Sequence, residues 1–148
     1  MEQALGLAEN NYGLTGENPS VGCVLVKNNQ IISTGVTGFN GRPHAEANAI
    51  KNSLTNVQGS TLYVTLEPCN HYGKTPPCTN LINNKKIKNV VYGINDIDPR
   101  TSKTAKKFFK NKKIKVKEGI LSKKLNKFYK SYFYIKKNKL PYVIGKIA

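Results

Sequence analysis

Residues 66–78 read LEPCNHYGKTPPC. This one loop holds two of the chain's three cysteines, Cys69 and Cys78. A proline precedes the first, and Pro76-Pro77 precedes the second. Proline suits the first turn of a helix, where its missing N–H would have no intrahelical partner. The loop is therefore expected to leave the β-rich run TLYVTL (61–66) and enter a helix near Cys78. Upstream, PHAEANAI (43–50) starts another helix, with His44 and Glu46 two positions apart at its beginning.

Read outward from these two stretches, the chain alternates. A short amphipathic helix at the start is signalled by Ala4, Leu5, Leu7 and Ala8. SVGCVLV (20–26) and QIISTGV (30–36) flank the turn-forming pair Asn28-Asn29 and read as a hairpin. The helix beginning near His44 is expected to run to about Leu54. NVVYGI (89–94) and IKVKEG (114–119) are further strands, with a lysine-rich helix over about 102–111 between them. Strands separated by helices imply a layered α/β domain whose sheet is mostly parallel after the hairpin. LNKFYKSYFYIKKNKL (125–140) is aromatic and basic and reads as helical, and PYVIGKIA (141–148) as a strand.

One histidine and two cysteines make a three-ligand set of the kind found at catalytic zinc sites, where a fourth position is left for water. A closed structural site would need a fourth protein ligand. The remaining cysteine, Cys23, stands in an apolar strand run and reads as a small buried hydrophobe. Zinc lowers the pKa of a bound water from about 16 towards 7. Glu46, near His44 but not a ligand, is the candidate proton carrier, a role glutamate has in zinc deaminases as a class. A capping histidine, a solvated glutamate and two core cysteines would explain each residue singly. The conjunction of both motifs in a strand–helix context favours the catalytic reading.

Composition narrows the class further. A chain of 148 residues with 39% hydrophobic content supports a globular core. No apolar run suits a membrane span, and the acidic start MEQALGLAEN lacks a signal-peptide core, so a cytoplasmic location is expected. The formal net charge is +16, but arginine occurs only at Arg42 and Arg100. Arginine is the usual bidentate reader of bases and phosphates, so the lysine excess argues for a positive field around an anionic small substrate rather than a nucleic-acid surface.

The stretches ENPSVGCVLVKNNQII, GRPHAEANAI, TLYVTLEPCNHYGKTPPC and LPYVIGKIA resemble the deaminase domain of the bacterial riboflavin-biosynthesis deaminase/reductase family, the diaminohydroxyphosphoribosylaminopyrimidine deaminases. The eight residues NHYGKTPP between the cysteines are the most diagnostic piece. The resemblance implies a three-layer αβα cytidine-deaminase-like fold with a mixed five-stranded sheet. It implies Zn2+ on His44, Cys69 and Cys78, with Glu46 catalytic and Asn18, His71, Lys74 and Asp96 contacting substrate. The implied substrate is a small-molecule pyrimidine ribotide, 2,5-diamino-6-(ribosylamino)-4(3H)-pyrimidinone 5′-phosphate, deaminated to the corresponding uracil. The alternatives are another zinc nucleotide or nucleobase deaminase, and a basic nucleic-acid-binding zinc module. Two departures stand out. Thr37 replaces a usual histidine, and residues 96–103 lack the family's glycines, so side chains of Arg100, Ser102 or Lys103 are expected to replace backbone contacts. Glu67 fits the pattern as support for the site. Residues 1–124 are assigned to the deaminase domain, and 125–148 to a linker and the start of a truncated reductase domain that cannot bind NADPH. Unless it folds back, the aromatic run would then expose an apolar patch and favour a homodimer or higher homo-oligomer.

Overall fold

The computed structural model describes residues 1–145. Five strands form one sheet: β1 (Gly22–Lys27), β2 (Gln30–Val36), β3 (Thr61–Leu66), β4 (Asn89–Ile94) and β5 (Lys115–Glu118). Six helices accompany them: α1 (Glu2–Asn10), α2 (Ala45–Lys51), α3 (Cys78–Asn84), α4 (Ala105–Asn111), α5 (Ser122–Phe128) and α6 (Lys130–Asn138). The strand order is β2-β1-β3-β4-β5. β1 runs antiparallel to both β2 and β3, whereas β3, β4 and β5 are parallel. The sheet is therefore mixed, as expected. Among the described residues no helix is long and apolar enough to cross a membrane.

The hairpin forms where Asn28 and Asn29 adopt φ of 50° and 59°, between the paired residues Lys27 and Gln30. Asparagine tolerates this left-handed conformation, and two such residues match the right-handed twist of the strands. The helices follow a simple rule. α2 buries Ala45 and Ala49, α4 buries Ala105 and Phe109, and Leu125 of α5 is followed by buried Tyr129. Residues four apart share a helix face, so each pair turns one stripe to the sheet. One apolar cluster joins α2, α3 and α4 to one sheet face through Leu25, Leu62, Val90, Ile82 and Phe109. A second joins α1 and α5 to the other face through Leu5, Leu66, Ile94, Leu125 and Tyr129. These are the three layers.

The C-terminal part differs from the sequence reading. Residues 125–140 are mostly helical, as read, and divide at Tyr129 into the end of α5 and then α6. Packing also continues past residue 124, where the linker was expected to begin. Leu125 is fully buried, and Gly93 of β4 makes this possible, because a Cβ there would overlap Leu125 Cδ1. Tyr129 Oη donates to Ser20 O (2.8 Å) and is 2.6 Å from Thr65 Oγ1, which in turn accepts the Gly22 N–H. The aromatic run folds back on its own domain, with Tyr129 packed against Phe128, Tyr132 and Phe133. It does not form one exposed patch. Residues 141–145 form no strand, and 146–148 lie outside the described residues. Two helices are also shorter than expected: α2 ends at Lys51, and α4 begins at Ala105.

Strand direction brings the chemistry to one sheet edge. β3 and β4 both end there, leading into the 67–78 and 95–104 loops. β1, running the other way, begins there after Asn18–Val21, and β2 ends there ahead of His44. Glu67 ties two of these loops together. Its N–H donates to Ile94 O (2.9 Å). Its carboxylate accepts the N–H groups of Asp96 (3.2 Å), Lys103 (2.9 Å) and Ala105 (3.0 Å). Burial pushes its carboxyl above the usual range, an effect these three donors oppose.

Two outcomes are expected. Leu125→Ala should cost about 2–5 kcal/mol, the range for emptying a packed leucine site. An unchanged urea midpoint would place α5 outside the core. Glu67→Gln should destabilise the fold by about 1–3 kcal/mol, because an amide NH₂ must then face a backbone N–H. Amide exchange would show the loss concentrated in residues 96–105; uniform protection there would remove the clamp role.

Candidate metal and active site

His44 is the N-cap residue of α2, so its side chain leaves the helix at the sheet edge. Cys78 is the first residue of α3, with Pro77 at its N-cap, close to the position that the two prolines indicate. Cys69 lies in the loop after β3. The two ends of this loop are held together because Cys78 N donates to Cys69 Sγ (3.3 Å) and Thr79 N to Cys69 O (3.2 Å). His44 Nδ1 is 3.3 Å from Cys78 Sγ and 3.5 Å from Cys69 Sγ.

Zinc bound tetrahedrally, with bonds of about 2.0–2.1 Å to nitrogen and about 2.3 Å to sulfur, holds such donors roughly 3.5 Å apart. The three ligand atoms lie within 4.8 Å of one another. Donor chemistry and spacing both fit the metal. Cys23 is outside this group, fully buried in β1. Its thiol is pushed well up, first by burial and then by the charge of Glu46. The cysteines of the cluster are electrically unequal without metal. Hydrogen bonding from Cys78 and His44 holds the Cys69 thiol down at about 4, against the effect of burial. Its hydrogen bond to Cys69, with burial, pushes Cys78 well up. For His44 burial disfavours the charged form, but the hydrogen bond to Cys69 and the charge of Glu46 outweigh it, and the net direction is upward.

Glu46 lies in the first turn of α2, only 4% exposed, with its carboxyl beside the Cys78 thiol. Burial pushes it upward; the charge of Cys69 adds to this and that of His44 opposes it. A carboxyl moved towards neutrality is better matched to taking up and returning a proton near neutral pH.

His44, Glu46 and Cys69 line a cavity of about 120 Å³. Three of the four expected substrate contacts border it: Asn18, His71 and Asp96. Asn18 Nδ2 donates to Asn40 O (3.4 Å), and His71 Nδ1 lies 2.9 Å from Thr101 Oγ1. Asp96 Oδ1 accepts the Asp98 N–H (3.1 Å) and the Tyr132 hydroxyl (3.2 Å). Lys74 is different: it is exposed in the loop and does not border the cavity. Thr37 does border it, but its hydroxyl is engaged internally, accepting from Val21 N and donating to Pro19 O. Of the three side chains expected to replace the family's backbone contacts, Arg100 alone borders the cavity, and its guanidinium grips Asp98 at 2.9 and 2.6 Å. Lys103 contributes its backbone N–H to Glu67. The sequence reading missed Arg42, Thr101 and Tyr132, which also line the cavity. Arg42 is one of two arginines and lies two positions before His44, a signal that was available. Tyr132 comes from the far end of the chain and carries no local signal.

Residues 1–94 match the family described as the cytidine and deoxycytidylate deaminase zinc-binding region. A diaminohydroxyphosphoribosylamino-pyrimidine deaminase of Buchnera aphidicola subsp. Schizaphis graminum is 40% identical over 141 residues, which are 95% of this chain and 96% of that protein. The riboflavin biosynthesis protein RibD of Actinobacillus pleuropneumoniae is 38% identical over all 148 residues, but these span only 39% of its length. A crystal structure of a diaminohydroxyphosphoribosylaminopyrimidine deaminase/5-amino-6-(5-phosphoribosylamino)uracil reductase from Thermotoga maritima superposes with a TM-score of 0.89 at 40% identity, over 96% of this chain and 41% of that one. With the His/Cys cluster and Glu46 standing on the same fold, the chain belongs to the zinc-binding cytidine and deoxycytidylate deaminase family, among its diaminohydroxyphosphoribosylamino-pyrimidine deaminases.

Proposed function

We propose that the chain hydrolytically deaminates 2,5-diamino-6-(ribosylamino)-4(3H)-pyrimidinone 5′-phosphate in riboflavin biosynthesis. The products are ammonia and 5-amino-6-(ribosylamino)uracil 5′-phosphate. The observation that carries this reading is the convergence of His44, Cys69 and Cys78 beside buried Glu46, with His44, Cys69 and Glu46 lining one small cavity. The likeness to the Buchnera deaminase over nearly the whole of both chains supports the substrate.

His44, Cys69 and Cys78 would hold zinc. When bound, the metal supplies Lewis acidity that lowers the pKa of water into the neutral range. The remaining work falls to side chains of this protein. Glu46 takes one proton from the attacking water and delivers it to the ring nitrogen of the amidine. As the C–N bond breaks, Glu46 passes the second water proton to the departing amine, which leaves as ammonia. One carboxyl serves as base and then as acid. Asn18, His71 and Asp96 border the space beside Glu46 and are assigned to orienting the ring and sugar. Lys74 stays assigned to substrate through the diagnostic loop, reaching it by movement of that exposed segment.

Glu46→Gln should keep zinc and fold while ammonia release falls about 10²–10⁴-fold, the usual value of general acid–base catalysis. Near-normal turnover by this variant would remove Glu46 from the mechanism. The purified chain should contain one zinc, and Cys69→Ser should lose most of it. Full zinc content in that variant would overturn the ligand assignment.

A further inference from the structure

The small cavity beside the metal cluster does not stand alone. A second cavity, of about 560 Å³, lies between the segment after α1 and the α5–α6 face. Asn18, Pro19, Tyr132 and Lys136 border both. The inner cavity, at about 120 Å³, is well below the roughly 300–1,000 Å³ of sites that enclose a drug-sized ligand. It has room for a heterocycle, so a ribotide whose ring sits beside Glu46 must extend its sugar phosphate outward, and the residues that border both cavities mark one such direction.

The larger cavity is bordered by Lys136, Lys139 and one acid, Glu17, and of the two lysines only Lys136 also borders the inner cavity. The inner cavity is lined by four acids, Glu46, Glu67, Asp96 and Asp98, which would repel a phosphate dianion. Of its two arginines, Arg100 is paired with Asp98, and Arg42, which gives one hydrogen bond to the neutral Thr75 hydroxyl, borders only the inner cavity. Lys136 borders both cavities. Among the described residues no carboxylate lies within ion-pair distance of it. It is half-buried, with its ammonium 5.9 Å from the Tyr132 ring centroid, one helical turn away on α6. Tyr132 in turn donates to Asp96, so the face of α6 that carries Lys136 is tied to the cavity wall.

Resting on the deaminase reading, we infer that Lys136 is the phosphate-binding residue of this active site, with Tyr132 as the positioning residue that holds α6 at the cavity wall. The ring occupies the inner cavity, the ribose passes between Asn18 and Tyr132, and the phosphate meets the Lys136 ammonium where the larger cavity opens. A lysine serves here as a point charge and needs no planar fork.

The test compares Lys136→Met with wild type and with Lys137→Met, a change at an exposed neighbour that borders neither cavity. Lys136→Met should raise KM for the ribotide about ten- to a hundredfold, the usual worth of one charge-assisted hydrogen bond, with kcat within about twofold. The penalty should vanish for the dephosphorylated substrate, and Lys136→Arg should restore most of the affinity. A KM unchanged from wild type, or an equal loss on both substrates, would overturn the assignment. Inorganic phosphate gives a second readout that does not depend on turnover. It should raise the melting temperature of wild type and Lys137→Met but not of Lys136→Met, and an equal rise in all three would refute the site. If wild type failed to turn over the ribotide, the functional reading would fall, while the phosphate response would still decide whether Lys136 holds an anion.

Discussion

The direction and register of β1 and β3 constrain everything at the catalytic edge. Because β1 runs antiparallel to β2 and β3 while β3 and β4 run parallel, four segments distant in sequence emerge together: 18–21, 37–44, 67–71 and 95–101. Pairing Leu66 with Ile94 places Glu67 opposite Asn95. From there its carboxylate reaches three N–H groups of the following loop. A slip of one residue would turn each side chain of β3 to the other face and remove that reach. Burial on both faces prevents the slip, since Leu62 and Val64 turn one way into an apolar cluster while Thr65 turns the other way to meet Tyr129.

Polar groups then fix what the sheet brings near. Glu67 and the Tyr129 hydroxyl are both buried and both bridge elements far apart in sequence. Hydrogen bonds of this kind have modest net value, about 0.5–1.5 kcal/mol, but an orphaned partner costs more. Such contacts therefore specify geometry more than they add stability. Ser60 Oγ alone among the described buried side-chain polar atoms lacks a partner, so the interior tolerates few alternatives.

Much of this was legible in the sequence, for local reasons. Alternating apolar runs gave the strands, and Asn28-Asn29 marked the hairpin because the turn needs residues that accept positive φ. His44, Cys69 and Cys78 could be grouped because proline and helix-start signals set them at element ends. The C-terminal segment was harder. Its resemblance to the approach to a second domain suggested a linker, yet Leu125 and Tyr129 stand four apart and face the core. That spacing was visible, but no local pattern says which surface the stripe will meet. The roles of Glu67 and Tyr132 depend on partners up to 38 and 36 residues away, and only the folded chain shows them. Lys74 marks the limit of such signals, since membership in a diagnostic loop does not say where a side chain stands, and this one is exposed outside the cavity lining.

The metal cluster depends on this frame rather than creating it. Small zinc domains whose ligands lie on short loops are unfolded without metal, because binding energy replaces a missing core. Here the three ligand residues stand on α2, on the loop after β3 and on α3, while α2 and α3 are already joined through one apolar cluster containing Ala45, Ala49 and Ile82. Their donor atoms converge to within 4.8 Å of one another on this frame. Preorganisation lets the site keep three protein ligands instead of four, since closing the coordination sphere is not needed to hold the fold. Glu46 lines the same cavity as His44 and Cys69, and the same burial that raises this carboxyl also shields it from bulk water. The fold thus bears the cost of assembling the site before any substrate arrives, and the loop and helix ends remain to determine which substrate fits.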